Sequence, residues 1–486
     1  MTNNVLNNLN PTEVFKYFEE LSQIPRGSGN EKEVSDYLVN FAKERNLDVI
    51  QDAALNVIIK KKATAGYENR PAVIIQGHMD MVCEKNVDTV HDFTKDPIKL
   101  RVVEDMVYAT GTTLGADNGI AVAMGLAILD SKNIEHPALE LLVTSAEETG
   151  MDGAAALDPK NVDGRILINI DSEEEGTLLV SCAGGLTTKV TVPAVWEEAD
   201  KNLEACVIRI RGLKGGHSGM EINKGRGNSN KLMGRILRDL TDNLELRISE
   251  VNGGSKHNAI PREADAVILV KPEEKSMVQT KVAQWESTLK DELRTPDPDL
   301  RVEFEALATA PAKVLSKTSA ESLVNYLYLV PDGINSMSMD IEGLVESSIN
   351  LGVITTSQDG IEFISAMRSS VKSLKMELFT RVSTIAKLVG AKVAAESDYP
   401  EWAYNPDSKI RNVFIEVYEK MNGKKPHITA IHAGLECGLL GEKFSGLDMI
   451  SFGPNLYDVH TPDEHMSISS VQRMWDYLLE VLKNVK

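Results

Sequence analysis

Several short stretches of this chain are apolar at nearly every position and then run into histidine or acid: AVIIQGHMD (72–80), ELLVTSAEE (140–148) and GRILINIDSEEEG (164–176). A fourth, DMISFGP (448–454), leads into NLYDVHTPDEH. A strand without polar–apolar alternation must be covered on both faces, which is the condition of a strand inside an α/β sheet. Helical spacing falls before the first of them, in VSDYLVNFAKERN (34–46), and between the first two, in GIAVAMGLAILDS (119–131), so strand and helix alternate. Asn10-Pro11-Thr12-Glu13 reads as a helix start, and LDVIQDAALNVIIKKKA (47–63) alternates like a hairpin.

The texture changes after about Gly184. TTKVTVPAVW and EACVIRIRGLK alternate with period two, as half-exposed antiparallel strands do. A helix, NSNKLMGRILRDLTDNL, and a strand, ADAVILV, follow. A second round repeats the pattern through LRVEFEAL, SAESLVNYLYLV, GLVESSINLGVITT, GIEFISAMRSS and KMELFTRVSTIAKLVG. From about Asp398 the α/β texture returns, ending in the helix SSVQRMWDYLLEVLKN. At 486 residues the chain is too long for one simple core. The expected architecture is a mixed-sheet α/β domain (1–184 and 398–486) interrupted by an inserted α+β domain (185–397) made of two similar units.

Bulk chemistry narrows the function. A net charge of −20 argues against a nucleic-acid partner, whose phosphates are held by Lys and Arg. MTNNVLNNLNPTEVF lacks the charged and apolar regions of a secretory leader, and no stretch approaches the ~20 apolar residues of a membrane span. Four scattered cysteines form no disulfide or metal pattern. A cytoplasmic chain with no membrane partner is expected.

The polar ends of the apolar runs carry the chemistry. His78 and Asp80 sit two apart and so share a face, suiting a metal-binding imidazole steadied by a carboxylate. Alone, H-x-D also describes a solvated strand end. GTTLGADNG places Asp117 in a glycine-rich turn before a helix, where aspartate also serves as an N-cap. Glu147-Glu148 and Asp171 close two further strands, and His460 precedes Thr-Pro-Asp-Glu. Adjacent buried acids are costly unless a cation or proton resolves their repulsion. Two neutral imidazoles and three carboxylates carry a formal −3 against +4 for two divalent ions, leaving room for one hydroxide. Mixed His/carboxylate ligation suits zinc, with cobalt or manganese as alternatives.

The ordered motifs H-x-D, L-G-A-D-N-G, E-E, I-D-S-E and H-T-P-D-E resemble the M20 family of co-catalytic zinc peptidases, over essentially the whole chain. The resemblance implies that His78, Asp171 and a bridging Asp117 hold one ion, and Glu148, His460 and the same Asp117 the other. It makes Asp80 the partner that orients His78 and Glu147 the general base. In the insertion it implies His217 (LKGGHSGMEINKG) on the reacting carbonyl oxygen, with Asn258 (KHNAIPREA) and Arg368 (ISAMRSS) on the substrate's free carboxylate. The resemblance implies that the turn IHAGLECG around Gly434 completes that pocket, while Glu436 there suits a structural hydrogen bond equally well. His91, His136, His257, His427 and His432 read as surface or packing residues, and His465 is a fallback ligand. The family's dipeptidase members imply hydrolysis of small dipeptides, including Xaa-His dipeptides such as carnosine, by a homodimer with a closing lid. Sister activities, tripeptide aminopeptidase and N-acyl amino acid deacylase, share the metal motifs. A non-catalytic binding protein would be expected to have lost Glu147 or a ligand, and every one is present.

Overall fold

The strands Val73–His78 and Leu139–Thr144 are buried at all of their positions, so neither face of these two strands meets water. A computed structural model describes residues 5–486; residues 1–4, the start of the segment read above for a leader, lie outside it. The chain divides into two compact units. One holds the chain through Ser181, with Tyr404–Ala430 and Leu435–Lys486; the other holds Cys182–Ala403 and Ile431–Gly434.

Among the described residues the first unit has an eight-stranded sheet. Four neighbours at its centre run parallel, in the order Leu139–Thr144, Val73–His78, Ile166–Asn169 and Asp448–Ser451. The hairpin Asp48–Gln51/Val57–Lys61 extends one side antiparallel, and Thr177–Cys182 and His427–Ile431 extend the other. The helix Ala116–Asp130 is buried nearly all round, lying between the sheet and Thr12–Ser22. That is why its sequence is apolar without a polar face. Lys409–Asn422 and Ile468–Asn484 pack together and add Phe414, Tyr477 and Leu478 to the same core.

The second unit is built on a nine-stranded sheet. An inner copy runs strand Glu204–Arg211, helix Ser229–Asn243, strands Arg247–Gly253 and Ala264–Val270, helix Lys275–Glu292, strand Arg301–Ala306. An outer copy repeats that βαββαβ order with Gly184–Pro193, Lys317–Leu329, Val345–Thr356, Gly360–Ser369, Lys372–Leu388 and Lys392–Tyr399. The copies abut through their second strands, paired at Gly253 and Ile354. The inner copy hangs from the outer on a two-stranded stem, Trp196–Glu198 against Lys313–Leu315. Ile208, Ile268, Val190 and Phe363 lie in one core with Ile236, Val282, Leu323 and Leu378 of the four helices. The helices therefore cover one face, and ion pairs such as Lys189–Glu362 mark the other. This is the period-two pattern seen in the sequence.

The divisions fall a few residues from those expected. Residues 398–403 stay with the second unit because the buried Lys375 amine binds Asp398 at 2.8 Å, Glu401 at 3.2 Å and the Tyr399 carbonyl at 2.8 Å. Gly434, expected in the α/β domain, also belongs there: the Ala183 amide donates to the Ile431 and Ala433 carbonyls, each at 3.1 Å. Lys375→Met should strand the buried Glu401 carboxylate and cost about 3–5 kcal/mol. Urea denaturation should show a lowered midpoint, partly recovered by adding Glu401→Gln.

Candidate metal centre

In open α/β sheets ligands collect beyond the carboxyl ends of the strands, and here four neighbouring strands deliver polar groups to that edge. His78 is the last residue of its strand, and Glu147 and Glu148 lie on the turn after Thr144. Asp171 lies just past Asn169. His460 sits on the turn between the short strands Leu456–Tyr457 and His465–Ser467, which lie downstream of Ser451. Asp117 comes from the first turn of Ala116–Asp130, where its backbone leaves helical geometry.

These groups meet around Asp117. Its Oδ1 lies 3.1 Å from His78 Nε2, and its Oδ2 lies 3.2 Å from His460 Nε2. Asp171 reaches His78 Nε2 at 3.6 Å, and Glu148 reaches His460 Nε2 at 3.1 Å. One carboxylate thus faces two imidazoles, each with a further carboxylate of its own. The ligand atoms of His78, Asp117 and Glu148 lie within 4.8 Å of one another.

Asp80 works behind this layer. Its Oδ1 is 3.4 Å from His78 Nδ1 and accepts the Glu147 amide at 3.1 Å. Its Oδ2 accepts the Glu148 amide at 3.2 Å and the Ser28 hydroxyl at 2.7 Å. A partner on the far nitrogen fixes which nitrogen an imidazole presents to an ion. The Asn118 side chain ties two strand ends, accepting the His78 amide at 3.2 Å and donating to the Ile170 carbonyl at 2.6 Å. Glu436 is fully buried and accepts from Gln76 and Thr144, both at 2.6 Å.

The electrostatics ask for positive charge. Hydrogen bonds to Asp117 and Glu148 push the His460 imidazole up to about 11. Burial pushes the Asp171 carboxyl up to about 6 and the Glu147 carboxyl up to about 9, with neighbouring acids adding to both. Asp117 is the exception: burial would raise it, but hydrogen bonds from His460 and His78 hold it well below the usual carboxylate range. Acids crowded this closely are stable only with protons or cations among them. Imidazole nitrogen and carboxylate oxygen without thiolate suit zinc, manganese or cobalt, so the residues fit divalent metal.

Residues 74–484 match the family model for peptidase family M20/M25/M40. The chain belongs to this family. It is 40% identical over 480 residues to the cytosol non-specific dipeptidase of Escherichia coli strain K12, covering 99% of each chain. It is also similar in structure to the aminoacylhistidine dipeptidase of Vibrio alginolyticus, with a TM-score of 0.95 and 40% identity over 99% of this chain and 98% of that one. The aminopeptidase PepT of Bacillus cereus matches at a TM-score of 0.57 and 16% identity, over 98% of this chain and 99% of that one. At that identity the likeness is one of fold.

The substrate-binding candidates of this M20 chain lie in its second unit. His217 pairs across a two-residue ladder with Ala259, and the Ser218 amide donates to the Asn258 carbonyl at 2.9 Å. Arg368 is buried, donates to the Tyr399 hydroxyl at 3.0 Å and leaves Nε unpartnered. Burial and the Arg368 charge both push the His217 imidazole down. His432 does more than pack: its Nε2 lies 2.7 Å from the Ser348 hydroxyl, and burial with Arg368 beside it lowers it to about 3. A lone histidine in a turn carries no spacing signal, so its sequence could not reveal this. His465 is stacked between Tyr108 and Tyr457 and bonds the Asp463 carbonyl at 2.8 Å. Ser28 and Glu31, which accepts the Ala146 amide at 3.2 Å, come from the stretch PRGSGNEKE, which reads only as a loop.

Metal-stripped protein titrated with Zn2+ should melt at higher temperature, gaining about 2.7 kcal/mol at a hundredfold excess over Kd. Asp117→Asn should abolish most of that gain, because this one side chain faces both imidazoles; calorimetry with and without the ion measures it.

Proposed function

We propose that this M20 chain is a dipeptidase, hydrolysing small dipeptides, Xaa-His dipeptides such as carnosine among them, in a reaction that depends on two divalent ions, zinc in the first instance. The observation that carries the reading is Asp117 with one oxygen toward each of two imidazoles. The 40% identity to two proteins named as dipeptidases, over nearly all of the chain, supports the substrate class.

In this reading His78, Asp171 and Asp117 hold one ion and Glu148, His460 and Asp117 the other. When bound, such ions polarise a scissile carbonyl and bring the pKa of a water toward neutrality. The protein supplies the proton traffic. Among the described residues no side chain hydrogen-bonds the Glu147 carboxyl, while its neighbour Glu148 faces His460. Glu147 is therefore free to take the water's proton and pass it to the departing amine. Positive charge beside it favours the ionised form that a base needs. Asp80 fixes His78 through Nδ1 and, through the two amides it accepts, fixes the turn that carries both glutamates. His217 is assigned to the reacting carbonyl oxygen. The Arg368 fork, with Asn258 and the turn at Gly434, is assigned to the free carboxylate that every dipeptide carries. Among the described residues no helix is long and apolar enough to cross a membrane. A homodimer acting in the cytoplasm completes the proposal.

Glu147→Ala should lower kcat about 10²–10⁴-fold with both metal equivalents retained by elemental analysis. Asp80→Ala should impair turnover while leaving much of the metal bound. A panel of β-Ala-His, Gly-His, a tripeptide and an N-acetyl amino acid should show cleavage of the dipeptides. Preference for the tripeptide or the N-acetyl compound would overturn the assignment in favour of a sister activity.

A further inference from the structure

The turn that carries Asp117 is gripped from two sides by buried ions of opposite sign. Glu464 is 2% exposed and spends its whole carboxylate on four consecutive backbone amides. Oε2 accepts from Leu114 at 2.7 Å and Gly115 at 2.9 Å; Oε1 accepts from Ala116 at 2.8 Å and Asp117 at 3.3 Å. Those of Ala116 and Asp117 are amides a helix leaves without internal partners at its start, where negative charge is favoured, and those of Leu114 and Gly115 belong to the turn that leads into it. The helix has no cap of its own, since the preceding residue is Gly115. The Glu464 amide in turn bonds the Thr461 carbonyl at 3.1 Å, next to His460. One side chain thereby joins the two pieces of chain that carry Asp117 and His460.

Arg26 holds the other side. It is also 2% exposed, and its guanidinium donates to the carbonyls of Gly115, Met79 at 3.0 Å and Asp80 at 3.2 Å. Burial pulls its pKa down, while the charges of Glu464, Asp80 and Asp117 oppose that pull. The same contacts explain the glycines of LGADNG. Gly115 has φ near +70°, and a Cβ there would stand 2.6 Å from Arg26 Nη2; at Gly119 the separation would be 2.5 Å. Carbonyls gripped by Arg26 follow His78 directly, and amides gripped by Glu464 end at Asp117.

We propose that Glu464, braced by Arg26, is a positioning residue that sets the divalent-metal affinity of the site by fixing the Asp117 carboxylate between His78 and His460. The inference rests on the metal-dependent reading above. It differs from simple helix capping, which would stabilise the fold and leave ion affinity alone.

The test uses the full chain, stripped of metal and titrated with Co2+ by calorimetry and visible absorption. Glu464→Gln keeps the shape but turns an amide NH2 toward backbone N–H groups. It should fold, bind Co2+ about 10–100-fold more weakly, and show altered cobalt absorption bands. On the dipeptide it should lower kcat at fixed metal with little change in KM. Arg26→Lys keeps the charge and loses the fork, and it should weaken Co2+ in the same direction. It reports on the same turn if Glu464→Gln does not fold. A Glu464→Gln protein whose metal-free form melts early but whose Co2+ affinity and spectrum match the parent would overturn the proposal and leave a helix cap. If the unaltered chain itself binds no Co2+, the metal-dependent reading fails instead.

Discussion

The structure of the first unit depends on how a half-buried carboxylate can be shared. Asp117 offers one oxygen to His78 and the other to His460, and the two histidines come from opposite ends of the chain. Burial disfavours the charge on Asp117, and the two imidazoles more than restore it. The cost of collecting acids at the same edge is visible in Asp171 and Glu147, whose carboxyl groups hold their protons too long. A sheet buried on both faces is what permits this: its strand ends are fixed by packing on both sides, and acids at fixed positions cannot drift apart to relieve their repulsion.

Rigidity at that edge comes from polar side chains spent on the backbone and on one another. Asp80 holds two amides of the glutamate turn, Asn118 links two strand ends, and Glu436 draws together Gln76 and Thr144. Asn169 donates to Gln76 at 2.6 Å and carries that row of buried polar groups to the next strand. Each such bond is modest by itself. Leaving any member unpaired in the interior would cost more than the bond is worth, so the row specifies one register among the parallel strands.

The division of labour explains which parts could be read from the residues alone. Continuous apolar runs announce buried strands, and the acids and imidazoles that end them are conspicuous because nothing in a core needs them. His78, Glu147, Glu148, Asp171 and His460 stand out as candidates for that reason, and Asp117 stands out by its glycine-rich turn before a helix. Arg26 and Glu464 do not, because their partners are peptide groups, and a peptide group has the same sequence signature everywhere. The two rounds of strand and helix in the middle of the chain show in the period-two pattern. Their nesting does not, since it depends on which strand edges pair: the short stem at Trp196–Glu198 and the single pairing at Gly253 decide it. The exact edge of the second unit is hidden for a similar reason. Lys375 reaches forward to residues 398–401 through a buried ion pair that no local composition reveals.

The position of Asp448–Ser451 has a consequence for how the molecule comes into being. This strand lies between Ile166–Asn169 and Thr177–Cys182, although the whole second unit is synthesised before it. A growing chain therefore carries an open seam through the middle of its central sheet, with unpaired strand edges on both banks, until Asp448–Ser451 has been made. His460 arrives later still. The sheet can thus close only after the second unit has been made, and the long interval before closure is when the chain most needs protection from mispairing with its neighbours.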